Sequence, residues 1–139
     1  MYYIRTKGCF DSAHFLKNYD GKCKNIHGHR WDVIAELGSE ELETEGQREG
    51  MVVDFSELKN ALNNICESFD HCLISEEGAL AEKTLSCLEE EGFKVVTVPF
   101  RPTAENFARY FFDRLKADYP VNRVEVYETP NNFAAYEEK

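Results

Sequence analysis

Apolar and polar residues alternate through residues 2–15, with Tyr2, Ile4, Thr6, Phe10 and His14 on one parity; a period of two predicts a strand. Gly8 lies on that parity and marks a bulge or a close approach by another element. A second alternation, through His27, His29, Trp31, Val33, Ala35 and Leu37, predicts a strand over residues 27–37 with these side chains on one face. The polar stretch between them, residues 17–26, contains Asp20-Gly21 and reads as the loop of an antiparallel pair. Residues 38–50 hold five glutamates and almost nothing apolar, the pattern of a solvated connection.

Helical spacing then takes over. Asp54 and Glu57 fit a capping arrangement ahead of Phe55, Leu58, Leu62, Ile65 and Phe69. Residues 81–91 predict a second helix ended by Gly92, and the β-branched run 94–100 predicts a strand. Thr103 caps a third helix with Phe107, Tyr110, Phe111 and Leu115 on one stripe. Strands follow over residues 121–128 and 133–136, joined by a Pro-Asn-Asn turn. Paired strands, helices, then paired strands predict an α+β fold with helices on an antiparallel sheet.

Composition narrows the function classes. A chain of 139 residues is expected to form one domain over 1–139, and 42% hydrophobic with 13% aromatic residues is enough to build a core. The formal charge of −10 argues against a protein that coats nucleic acid or an anionic membrane. Residues 1–30 run against that balance, with six basic side chains (Arg5, Lys7, Lys17, Lys22, Lys24, Arg30) and two acidic ones. Such a segment suits a small anion at close range, or is a cluster of solvated lysines. Five cysteines, an odd set without a CxxC pair, are expected to be reduced thiols in a cytoplasmic protein. No apolar run approaches the roughly 18 residues of a membrane span, so neither membrane nor nucleic acid is an expected partner.

The histidines carry the candidate chemistry. His27 and His29 are two apart on a strand and leave one face, and a hairpin partner could set His14 beside them. Three neutral imidazoles with an open fourth position suit a catalytic zinc ion, although an HxH pair can also be incidental. Cys23, between Lys22 and Lys24 and four residues before His27, reads either as a thiolate base or nucleophile or as a fourth zinc ligand closing the site. Asp70-His71 is either a proton relay or a surface pair at a helix end. Glu128 shares parity with Val124 and Val126, and either meets the donor edge of a ligand or protrudes past the sheet rim.

Six motifs in order resemble one family: Phe10-Asp11-Ser12-Ala13-His14, the Cys23 to His29 stretch, Val53-Asp54-Phe55-Ser56-Glu57-Leu58-Lys59, Phe69-Asp70-His71, Pro102-Thr103-Ala104-Glu105-Asn106 and Glu128-Thr129. They are similar to the signatures of the 6-pyruvoyltetrahydropterin and 6-carboxytetrahydropterin synthases, from about Tyr3 to Tyr136. The resemblance implies a tunnelling fold, a four-stranded antiparallel sheet with helices on one face, whose subunits join sheets into a barrel. A homohexamer, a dimer of trimers, is the implied assembly. It further implies that His14, His27 and His29 bind zinc, that Cys23 is the general base and that Asp70 and His71 complete a relay. Glu128 would anchor a pterin ring, with Thr103 and Glu105 nearby.

Three residues separate Cys23 from His27, as in the 6-carboxytetrahydropterin synthases of queuosine biosynthesis. Biopterin-pathway relatives typically have a longer gap, and a third subfamily places Glu at the position of Cys23. The implied reaction turns 7,8-dihydroneopterin triphosphate into 6-carboxy-5,6,7,8-tetrahydropterin, acetaldehyde and triphosphate. The rivals are a pyruvoyl-forming synthase without carbon–carbon cleavage and a non-catalytic zinc or purine-binding module. Residues 38–50 and 78–98 are longer than in compact bacterial members, which bears on substrate access and oligomer contacts.

Overall fold

In a computed structural model describing Met1–Lys139, the two N-terminal alternations form the long hairpin they predict. Strands β1 (Tyr2–His14) and β2 (His27–Ser39) pair antiparallel in unbroken register from Tyr2 opposite Ser39 to His14 opposite His27. Helix α1 (Phe55–Ser68), strand β3 (Leu73–Glu76), helix α2 (Glu82–Glu90) and strand β4 (Val95–Val98) follow. Helix α3 (Ala104–Lys116) and the strands β5 (Val121–Thr129) and β6 (Asn132–Tyr136) complete the chain.

The sheet has six strands in the order β4-β3-β1-β2-β5-β6. This corrects the expected count of four. The antiparallel unit β1, β2, β5 and β6 is present, and β3 and β4 extend it in parallel orientation. Strand β3 has only four residues, Leu73-Ile74-Ser75-Glu76, too few to show an alternation, and it meets β1 only at Ala13 and His14.

Helices α1 and α3 cover one face. Helix α1 buries Leu58, Leu62, Ile65 and Cys66, and α3 buries Ala104, Phe107, Ala108, Phe111, Phe112 and Leu115. All of these except Leu58 pack on Phe10, Trp31, Val33, Ala35, Val124 and Val126 from the sheet. Each fully buried Phe or Leu contributes about 1.5–3 kcal/mol, so this face supplies most of the hydrophobic stabilisation. At Gly8 the register is unbroken and the close approach is the correct alternative: a Cβ there would lie 3.0 Å from Cys66 Sγ and 3.2 Å from Leu62 Cγ.

The helix starts follow the sequence in part. The Asp54 carboxylate accepts from the Ser56 N–H at 2.8 Å, but Glu57 pairs with Arg48 instead of returning to the cap. Leu42, from the acidic connection, packs on a second small core of Leu37, Val52, Val53 and Leu58. Helix α2 buries none of its residues. The register sets Val95, Leu73, Ala13 and Gly28 in one row across the sheet, on the face turned away from α1 and α3. Leu88 of α2 meets this row around a shared cavity, so α2 stands on the opposite face from the other two helices.

Candidate active site

The hairpin ends where its chemistry begins. His14 stands directly opposite His27, and His29 opposite Ser12, all on the parity that faces α3. The three ring centroids lie 4.6, 4.9 and 5.1 Å apart, and one nitrogen from each ring falls within 4.8 Å of the others. The sequence expectation of a three-imidazole group is met.

Hydrogen bonds fix the ring orientations. His14 Nδ1 lies 2.7 Å from the Pro102 carbonyl oxygen, and His27 Nδ1 lies 2.7 Å from that of Asn25. A carbonyl only accepts, so each Nδ1 carries a proton, and in a neutral ring the Nε2 then presents a lone pair. The two Nε2 atoms face each other at 3.0 Å. His29 Nε2 is buried without any partner. Two convergent nitrogens backed by N–H donation to backbone carbonyls, with a ring nitrogen of His29 within 4.8 Å of both, fit a divalent cation and its usual outer hydrogen bonds.

Burial tunes two of the three rings, His14 and His29, toward neutral imidazole. It pushes His14 down to about 4, against the opposing Pro102 hydrogen bond, and the two other imidazoles push the same way. His29 is lowered by burial and then by His27. The Trp31 indole is fully buried beneath them, nearly perpendicular to His14 and His29 with centroids at 4.8 and 5.4 Å. Its packing against Phe10 and Phe107 ties the metal-competent rings to the core.

Glu128, Glu105 and His27 form a second grouping. Burial holds the Glu128 carboxyl above the usual carboxylate range, Glu105 raises it further, and His27 opposes both. The pairing of β5 with β6 is irregular between Tyr127 and Thr129, so Glu128 sits at a bulge, a device that re-aims a side chain near a site. Thr103 Oγ1 accepts the Asn106 N–H at 3.3 Å and serves as the cap of α3. Cys23 is the middle residue of a single 3-10 turn, Lys22–Lys24, and is half-buried. Its sulfur is not among the atoms of the three-histidine group.

Asp70 and His71 bond each other, although adjacent residues on a strand could not. His71 Nδ1 lies 2.8 Å from Asp70 Oδ2 because His71 adopts a left-handed backbone, φ 52°, at a turn. The Asp11 backbone holds this turn from both sides. Its N–H donates to Asp70 Oδ1 at 2.9 Å, and its carbonyl accepts the His71 N–H at 2.7 Å. That N–H bond, then His71, holds the Asp70 carboxyl below its ordinary range. His71 and His29 line one cavity of about 690 Å³, together with Ile26, Phe93 and Lys94.

The model of the 6-pyruvoyl tetrahydropterin synthase family matches residues 3–139. The chain belongs to this family. It is 37% identical to a 6-carboxy-5,6,7,8-tetrahydropterin synthase of Haemophilus influenzae, over 99% of this chain and 100% of that one. An Aquifex aeolicus protein of the same name is 33% identical over 85% of this chain and 77% of its own length. Among solved structures, an uncharacterized protein from Wolinella succinogenes superposes with a TM-score of 0.80 at 22% identity, covering 99% of this chain and 98% of that one. The Caenorhabditis elegans 6-pyruvoyl tetrahydropterin synthase superposes with 0.69 at 25% identity, covering 99% and 96%.

Within this family fold, the residues that sequence reasoning missed act through their backbones. The carbonyls of Asn25 and Pro102 and the peptide groups of Asp11 have no side-chain signature. The one available signal was position, since each lies within four residues of a motif histidine or aspartate or of a helix cap.

Proposed function

We propose that the chain is a zinc-dependent 6-carboxy-5,6,7,8-tetrahydropterin synthase, a carbon–carbon lyase acting on 7,8-dihydroneopterin triphosphate in the route to 7-deazapurines such as queuosine. The observation that carries this reading is the convergence of one ring nitrogen from each of His14, His27 and His29 beside Glu128. Whole-length identity of 37% to a curated protein of that name supports the choice within the family. The three-residue gap between Cys23 and His27 supports the same choice.

His14, His27 and His29 would hold the zinc ion, which supplies polarisation of oxygens on the substrate side chain. Glu128 accepts hydrogen bonds from the amino and ring N–H groups of the pterin, which return to a desolvated carboxylate the donors it lacks. Cys23 takes a proton from the substrate side chain as its general base. The His71 imidazole, held by Asp70, moves a proton at Nε2, since Nδ1 is bonded to the carboxylate. Thr103 and Glu105 bound the pterin pocket at the start of α3.

A homohexamer built as a dimer of trimers is the proposed assembly, and reduced cysteines are consistent with a cytoplasmic protein. No helix is long and apolar enough to cross a membrane. Incubation with 7,8-dihydroneopterin triphosphate, followed by mass spectrometry and an acetaldehyde assay, tests the proposal. The expected products are 6-carboxy-5,6,7,8-tetrahydropterin, acetaldehyde and triphosphate. A pyruvoyl product without acetaldehyde would assign the chain to the pyruvoyl-forming branch, and unchanged substrate would favour a binding module.

A further inference from the structure

The loop that carries Cys23, residues 16–26, has little regular pairing of its own. Leu16 N–H donates to the Cys23 carbonyl at 2.8 Å, and Asn25 N–H to that of Lys22 at 3.1 Å. A long-range tie to this loop comes from Arg101. Its guanidinium lies over the Tyr19 ring, 5.6 Å from the centroid, and its Nη2 donates to the Lys17 carbonyl at 3.2 Å. The Tyr19 ring fills the space above Gly21, where a Cβ would lie 2.6 Å from Tyr19 Cε1. Gly21 directly precedes the turn Lys22–Lys24 that presents Cys23.

Arg101 is itself fixed at the far end. Its carbonyl accepts from Thr103 N–H at 2.8 Å and from Asn106 Nδ2 at 2.9 Å. The next carbonyl along, that of Pro102, is the one that orients His14. Arg101 therefore stands where the start of α3, the imidazole group and the Cys23 loop meet.

We propose that Arg101 and Tyr19 are positioning residues that clamp the Cys23 loop to the imidazole site. The inference rests on the reading of Cys23 as the general base. A planar guanidinium stacks on a ring and donates in its own plane at once, whereas a lysine ammonium at this position keeps the charge and loses the stacking. A clamp is thus separable from a simple cation that attracts the triphosphate. Loss of the clamp lowers kcat, because the thiol is misplaced in the bound complex. Loss of an anion contact raises KM.

The test compares Arg101→Lys, Tyr19→Ala and Tyr19→Phe in the zinc-loaded protein, by steady-state kinetics and by peptide-resolved iodoacetamide alkylation across pH. Arg101→Lys and Tyr19→Ala are expected to lower kcat about tenfold or more with little change in KM. Both should alter the rate of Cys23 alkylation several-fold and leave Cys9 and Cys87 unchanged. Tyr19→Phe, which retains the ring, should behave as wild type. Wild-type kcat in Arg101→Lys, or a loss confined to KM, would overturn the clamp. If the wild-type protein turns over no pterin triphosphate, the functional reading fails by itself, and alkylation still decides the clamp: an unaltered Cys23 rate in both variants sinks it.

Discussion

His14 and His27 point their Nε2 atoms at each other across 3.0 Å, while the Nδ1 atom of each ring is committed to a backbone carbonyl. Two lone pairs so placed repel unless a cation lies between them, and the unpartnered Nε2 of His29 completes the set. A cation held here would therefore couple metal binding to local stability at the end of the hairpin.

Removing one of the three imidazoles should remove the ion. His27→Ala is expected to purify without stoichiometric zinc and without activity, because two imidazoles do not replace a chelate of three. Elemental analysis checks this, and full zinc content in the variant would refute the ligand assignment.

Cys23→Ala should separate base from ligand. The variant is expected to keep its zinc and lose turnover, consistent with a sulfur that lies outside the three-histidine group. If the metal leaves with the thiol, Cys23 is a fourth ligand and the site is a closed structural one. A cobalt-substituted protein gives an independent reading, since a thiolate ligand adds an intense charge-transfer band.

Much of this site was legible in the sequence because strands have a period of two. The parity of His14 on β1 and of His27 and His29 on β2 put each on its strand's hydrophobic face, and burial of those two faces sets the strands in register across a connection of twelve residues. The bonded Asp70–His71 pair was not legible from spacing, because it depends on a left-handed φ at His71 imposed by the Asp11 backbone. Nor was β3, whose four residues pair with β1 at only two positions and lie within what reads as a connection between helices. The side of the sheet taken by α2 follows from tertiary packing around Leu88, which an amphipathic stripe alone does not specify.

Acid should weaken the metal-free protein through His14. Burial lowers this group from 6.5 to about 4 in the folded chain, so between those values the unfolded chain binds a proton that the folded chain refuses. Stability therefore falls as pH drops through that window, by about 3 kcal/mol from this group at the lower end. Urea titrations of chelator-treated protein at about pH 7 and about pH 4.5 measure the slope. His14→Gln should show a smaller drop, and an equal drop would acquit His14.

Glu128 should act through recognition. A carboxylate that accepts two hydrogen bonds from a pterin edge, in a site where burial already raises its carboxyl, is worth about 2–5 kcal/mol to binding. Glu128→Gln keeps the size and replaces one acceptor oxygen with a donor, so KM should rise sharply while zinc content stays full. Unchanged substrate affinity would remove Glu128 from the pterin pocket.

The relay tests whether the assembly completes the site. Asp70 and His71 are held by β1 of their own chain, and His71 shares a cavity with His29 on the side of the sheet away from α1 and α3. Of the three imidazoles only His29 lines the cavity that holds His71, whereas His14, His27 and Glu128 do not. If a neighbouring copy supplies His71 instead, Cys23→Ala and His71→Ala protomers, each inactive alone, should regenerate some intact sites when mixed under subunit exchange. Activity recovered in proportion to mixed oligomers, counted by native mass spectrometry, is the expected result. Mixed oligomers without activity would mean that Cys23 and His71 serve one site within one chain or do not act together, and the shared site would be refuted.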